Sequence, residues 1–119
     1  MLNQVVVVGR IVSFLEAPEY GDGAIIITVR SPKNDKNSDG VYEDNIFDII
    51  VKSDKMVSNC TEYLKPGDLA GFKAKLETYK FVKNNKKYRR TIIIANAVSF
   101  LSSSTPSESM ISEEESSES

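Results

Sequence analysis

Histidine and tryptophan are absent from this 119-residue sequence and cysteine occurs once. Without histidine there is no imidazole for general acid–base chemistry, no Cys–His dyad, and too few ligands for a His/Cys metal site. A lone thiol forms no internal disulfide. Long hydrophobic runs are missing as well: Val5 to Val8 and Ile92 to Ala95 fall far short of the roughly 18 residues a membrane span needs. The N-terminus has no basic-then-apolar signal pattern. These absences predict a soluble protein of a reducing compartment, cytoplasmic and not membrane-bound, with no cofactor, no metal and no catalysis. At 40% hydrophobic and 27% charged residues, the length suits one domain with a single core.

Charge is unevenly placed. Five of the 17 acidic residues fall in residues 102–119, which contain no basic residue, so residues 1–101 carry 15 basic against 12 acidic groups. Eight cations (Lys73, Lys75, Lys80, Lys83, Lys86, Lys87, Arg89 and Arg90) lie within 18 residues that hold one acid, Glu77. The stretch SSSTPSESMISEEESSES (102–119) has only Met110 and Ile111 as large apolar side chains. It buries too little to offset its ordering entropy and is predicted to be a disordered acidic tail. Its glutamates are read as weak competitors for the basic face.

Residues 1–101 show no internal repeat. Asn3–Phe14, Ala24–Arg30, Asn45–Lys52, Leu69–Phe81 and Tyr88–Leu101 are short and β-branched, as strands of a small antiparallel barrel or sandwich would be. Three segments between them are predicted loops: Ala17–Gly23, Ser31–Asp44 (long and polar enough to be mobile) and Val82–Lys87. Met56, Val57, Cys60, Tyr63 and Leu64 follow a helical period and are read as helix-face core, with Ser53 or Asp54 as N-cap and Pro66-Gly67 as the stop. The order is three strands, one helix, two strands.

Alternation sorts Leu69–Phe81 onto two faces. Ala70, Phe72, Ala74, Leu76 and Thr78 form the predicted inward set. Lys73, Lys75, Glu77, Tyr79 and Phe81 face the other way, and core packing gives no reason for two outward rings among ammonium groups. Rings interleaved with cations are what unpaired nucleic acid requires, the rings for bases and the cations for phosphates. The candidate stacking residues are Phe47, Tyr79, Phe81 and Tyr88. The candidate phosphate contacts are Lys52, Lys73, Lys75, Arg89 and Arg90, with Arg10, Arg30 and Lys33 extending the track. Phe47, in the apolar strand IFDIIV, is equally readable as core, and Tyr88 as a cross-strand partner of Phe81.

LNQVVVVGRI, Gly23-Ala24-Ile25, NIFDIIV, NCTEYLKPGDLAGFKAKLETYKF and KKYRRTIIIANAVSFL together resemble the bacterial single-stranded DNA-binding proteins, most strongly over residues 2–15 and 45–101. The resemblance implies an OB-fold over residues 1–101, a five-stranded Greek-key barrel with one helix between strands three and four. It also implies homotetramers that wrap single-stranded DNA in replication, recombination and repair. Family aromatics, usually Trp, align with Phe47 and Phe81. A third aligns with Ser53, where the ring is lost, and a fourth has Tyr42 as its nearest counterpart. The family tail ends in an apolar tip that docks replication and repair enzymes. Here the glutamates follow Met110-Ile111, so recruitment through such a tip is not expected. The competing readings are an OB-fold accessory subunit of the primosome type with weak nucleic-acid binding and, less well supported for want of an RNP-like motif, an RNA-binding barrel.

Overall fold

The computed structural model describes residues 1–102; the tail expectations for Met110, Ile111 and the glutamates lie outside the described residues. β1 (Val5–Glu16) leads through a 3₁₀ turn (Pro18–Tyr20) to β2 (Ile25–Lys36) and β3 (Tyr42–Val51). Helix α1 (Asp54–Tyr63), β4 (Leu69–Lys83) and β5 (Lys86–Ser102) follow. The strands close into a barrel in the order β1-β2-β3-β5-β4. All pairings are antiparallel except the short parallel contact of Ile49 and Ile50 with Ile93 and Ile94. A closed five-stranded barrel with a helix between β3 and β4 is the OB-fold.

Alternation explains the core. Ile25, Ile27 and Val29 from β2, and Ile49 and Val51 from β3, point inward against Val7, Ile11, Ala70 and Phe72. The helix closes one side by burying Cys60 and Leu64. Among the outward residues, Ile50, Ile92 and Ile94 form a second buried apolar cluster, with Ile26, Tyr20 and Tyr79 packed on it. The run Ile92-Ile93-Ile94 is thus covered on both faces of the sheet, as an unbroken apolar strand should be.

Ser53 is the N-cap. It has extended backbone geometry, and its Oγ accepts from the Met56 N–H at 3.4 Å. That role accounts for a hydroxyl at this position. Burial pushes the Cys60 thiol up to about 11, so it is neutral at neutral pH and a poor nucleophile. A thiol whose ionisation is suppressed by folding costs stability as the pH climbs, because only the unfolded chain can ionise it freely. We expect a denaturation midpoint flat to about pH 9 that declines toward about 11. Cys60→Ala should lose this alkaline decline, and an unchanged decline would assign it to other groups.

Four sequence expectations are corrected. Ser31–Asp44 is a hairpin: β2 and β3 stay paired through Pro32↔Asp44 and, past an irregularity, Lys36↔Tyr42. Asn37 holds its tip, with Oδ1 accepting from Asp39 N–H (2.9 Å) and Val41 N–H (3.0 Å). The extension is mostly exposed on both faces, so no apolar alternation marked it. Val82–Lys87 is likewise no loop but strand ends joined by a two-residue turn, Asn84-Asn85, with φ of 53° and 64°. Those angles suit the tight turn whose twist matches a β-ribbon, and asparagine tolerates them. Leu76 (40% exposed) and Thr78 are not core, because beyond Ala74 the β4–β5 ribbon extends outside the barrel. Tyr63 is exposed and meets Phe100 instead, centroids 6.0 Å apart.

Candidate nucleic-acid interface

The β4–β5 ribbon carries the site. Its register sets Tyr79 opposite Arg90 and Phe81 opposite Tyr88, placing these four side chains on one face. Phe81 stacks on Tyr88 with centroids 5.5 Å apart and planes 19° apart, and on Tyr79 at 6.0 Å and 23°. Tyr20, from the 3₁₀ turn, meets Tyr79 edge-on at 4.8 Å. The result is a continuous row Tyr20–Tyr79–Phe81–Tyr88. Anchored on the outer isoleucine cluster at one end, it runs out along the ribbon to the half-exposed Tyr88.

Arg90 binds the row together. Its guanidinium carbon lies 5.6 Å from the Tyr20 ring centre, 5.3 Å from Tyr79 and 5.2 Å from Phe81. Its Nη2 also donates to the Tyr20 hydroxyl. A cation over three ring faces is electrostatically favourable. Arg90 remains exposed, so the same fork is open to a phosphate.

The remaining predicted cations are dispersed. Lys75 shares the ring face, closer to the barrel, and pairs with Glu77 at 3.0 Å. Arg89 stands opposite Lys80, and alternation puts it on the other side of the ribbon from the rings. Residues of both faces, Arg89, Lys80, Val82 and Lys87 together with Phe81 and Tyr88, line a shallow cleft of about 630 Å³ near the ribbon's end. Lys73 is exposed on the barrel, opposite Val6 and Ala97. Lys52 is exposed just beyond β3.

Arg10 and Arg30 are cross-strand neighbours on β1 and β2. Arg10 Nη1 donates to the Gly67 carbonyl at 3.3 Å, and Arg30 Nε lies 3.8 Å from Asp44. Lys33 reaches Glu43 at 3.4 Å. The Asn37 side chain and then Lys33 hold the Glu43 carboxyl below its usual value. Exposed pairs of this kind contribute little and are readily exchanged for another anion.

Phe47 stands apart from the row. It shares the inward parity of Ile49 and Val51 and packs, half-buried, against the barrel core. It also lines a groove beside Tyr20 and Arg90. Tyr42 is exposed at the start of β3, with the Lys36 ammonium 5.6 Å from its ring centre.

Sequence reasoning missed Tyr20. It sits in a predicted loop about 60 residues from Tyr79, and only barrel closure joins the two. The apolar TIII run was a faint signal, since an outward isoleucine surface needs a cover.

Comparison with known proteins agrees with this architecture. Single-stranded DNA-binding protein 2 of Staphylococcus aureus (strain COL) is 31% identical over 106 residues, covering 85% of this chain and 74% of that protein. Single-stranded DNA-binding protein 3 of Listeria innocua serovar 6a is 32% identical over 106 residues, covering 87% and 66%. In fold, the chain is similar to the Plasmodium falciparum SSB solved in complex with ssDNA. That match has a TM-score of 0.66 at 20% identity over 85% of this chain and 96% of that one. A mitochondrial single-stranded DNA-binding protein of S. cerevisiae gives 0.62 at 23% identity, over 84% and 95%. The single-strand binding protein family itself matches residues 2–101 without a break. That span takes in every strand of the barrel, the capped helix and the ring-bearing ribbon, and the chain belongs to that family.

Proposed function

We propose that this chain binds single-stranded DNA by laying bases on the row Tyr20–Tyr79–Phe81–Tyr88 while cations hold the phosphates. The observation that carries the reading is the row itself: four rings in succession with one guanidinium over three of them. Every base has a π-face, so such a row accepts strands of many sequences. Arg90 and Lys75 are the phosphate contacts on the ring face. Lys73, Arg89 and Lys52 serve strand passing around the barrel, and Arg10, Arg30 and Lys33 continue the track along β1 and β2. Phe47 contributes through the groove rather than the row. In this role the protein coats and protects DNA strands exposed in replication, recombination and repair, as a non-catalytic, nucleoid-associated component. Residues 1–101 are the binding domain and 102–119 an acidic tail.

Assembly into a homotetramer is part of the proposal. Val6 (63% exposed) and Val8 (48%) face outward on β1. Among the described residues, the β1 stretch Val5–Val8 is paired on one edge only, with β4. An open apolar edge is suited to pairing with a second copy.

Titration with oligo-dT across ionic strength tests the reading. Tyrosine emission should be quenched, and log affinity should fall with log salt by about 0.7 per neutralised phosphate. Absence of binding at low salt would end it. Affinity weaker than micromolar would favour an accessory-subunit role, and equal or tighter binding of oligo-rU an RNA-binding one. Light scattering on the same samples reads the assembly independently.

A further inference from the structure

Next to the ring row lies a groove of about 470 Å³, within the range of small-molecule sites. Tyr20 and Arg90 form its near side, Phe47 and Asp48 line it further on, and Ile50 and Ile92 give it an apolar floor. Because Tyr20 and Arg90 belong to both features, a strand that follows the row reaches the groove without a gap. Its charge, however, is the reverse of the rest of the track. Two carboxylates, Glu19 and Asp48, line it against the single guanidinium of Arg90, which is already bonded to the Tyr20 hydroxyl. A phosphate would meet like charge here, so the backbone belongs outside and a base inside.

Asp48 is held in position. Thr28, its cross-strand partner on the same outward face, donates from Oγ1 to Asp48 Oδ1 at 2.7 Å. No ion pair to Asp48 is present among the described residues. A fixed carboxylate in a groove accepts hydrogen bonds and donates none. Cytosine offers it an exocyclic amino group, N4–H₂, whereas thymine offers the O4 carbonyl at the equivalent position and repels it. From this geometry we infer that the groove is a base-reading subsite in which Asp48 accepts from an exocyclic amino group, giving an otherwise sequence-tolerant protein a local preference for cytosine over thymine.

This inference rests on the proposed single-stranded DNA binding. It is tested with the full chain, oligo-dC and oligo-dT of equal length at one salt concentration. The readout is the ratio Kd(dT)/Kd(dC) in wild type and in Asp48→Asn. The carboxamide oxygen can still accept from Thr28, but the new N–H group now suits thymine O4. The ratio is expected to fall about five- to tenfold, the range for one partly exposed charge-assisted bond, while dT itself binds more tightly because a negative charge is gone. Thr28→Val, which frees the carboxylate without removing it, should reduce the ratio in the same direction. Binding of both oligomers with a ratio unmoved by either variant would overturn the subsite and leave the general activity standing. Failure of the wild type to bind either oligomer would overturn both.

Discussion

Phe81→Ala is expected to weaken oligo-dT binding about 10- to 100-fold, the consequence of losing roughly 1–3 kcal/mol of stacking for one base. Phe81 is the middle of the outer row, with Tyr79 on one side, Tyr88 on the other and Arg90 over its face. Its removal therefore takes away one platform and separates Tyr88 from the Tyr20–Tyr79 pair. The loss should persist at high salt, because stacking releases no counterions, and the salt slope should stay near its original value. Arg90→Ala differs in kind, since deletion of a phosphate contact lowers the slope by about one contact's worth. Measured together, the two variants separate the apolar from the ionic part of the site. If Phe81→Ala left affinity unchanged, the row would be idle and the proposed binding surface would have to be sought elsewhere on the barrel.

Gly9→Ala should destabilise the fold by about 2–3 kcal/mol, the upper part of the range for overpacking a site that cannot yield. Where β1 passes from β4 to β2, a Cβ on Gly9 would lie 2.5 Å from the Arg30 carbonyl oxygen and 3.1 Å from its carbon. These are backbone atoms, so relief requires the strands to part at the point where the barrel closes. Against a total stability of about 5–15 kcal/mol for a domain, that is a large fraction. It should appear as a lower urea midpoint with an unchanged slope. Gly71→Ala on the neighbouring strand β4 is the control, because its added Cβ meets side-chain atoms alone, those of Leu101 and Val8 at 3.6 Å and of Ser99 at 3.9 Å. Equal stability of Gly9→Ala and wild type would mean that the β1–β2 crossing is looser than the structure has it.

Much of this molecule could be read from local pattern. β-Branched alternation located the five strands, the spacing of Met56, Val57, Cys60 and Leu64 located the helix, and Ser53 was among its expected caps. The parity argument put Tyr79 and Phe81 on one face without coordinates. Alternation has a fixed period of two residues, so it decides which side chains share a face of a strand. It does not say what the strand lies against. For that reason Leu76 and Thr78, correctly given the parity of Phe72, turned out to lie on a projecting ribbon rather than in the core, and the polar hairpin 31–44 passed for a loop.

What the chain determined by itself was therefore the order of its elements, the cations and rings available, and the sidedness of each strand, all consequences of bonded geometry over a few residues. Closure of the barrel decided the rest. It brought Tyr20 and Arg90 together across 70 residues, turned Phe47 toward the interior, engaged Arg30 and Lys33 with acids on the next strand, and set Asp48 at the wall of a groove. Such contacts depend on which strand edges meet when the apolar faces are buried, a property of the whole fold that no short window of sequence contains.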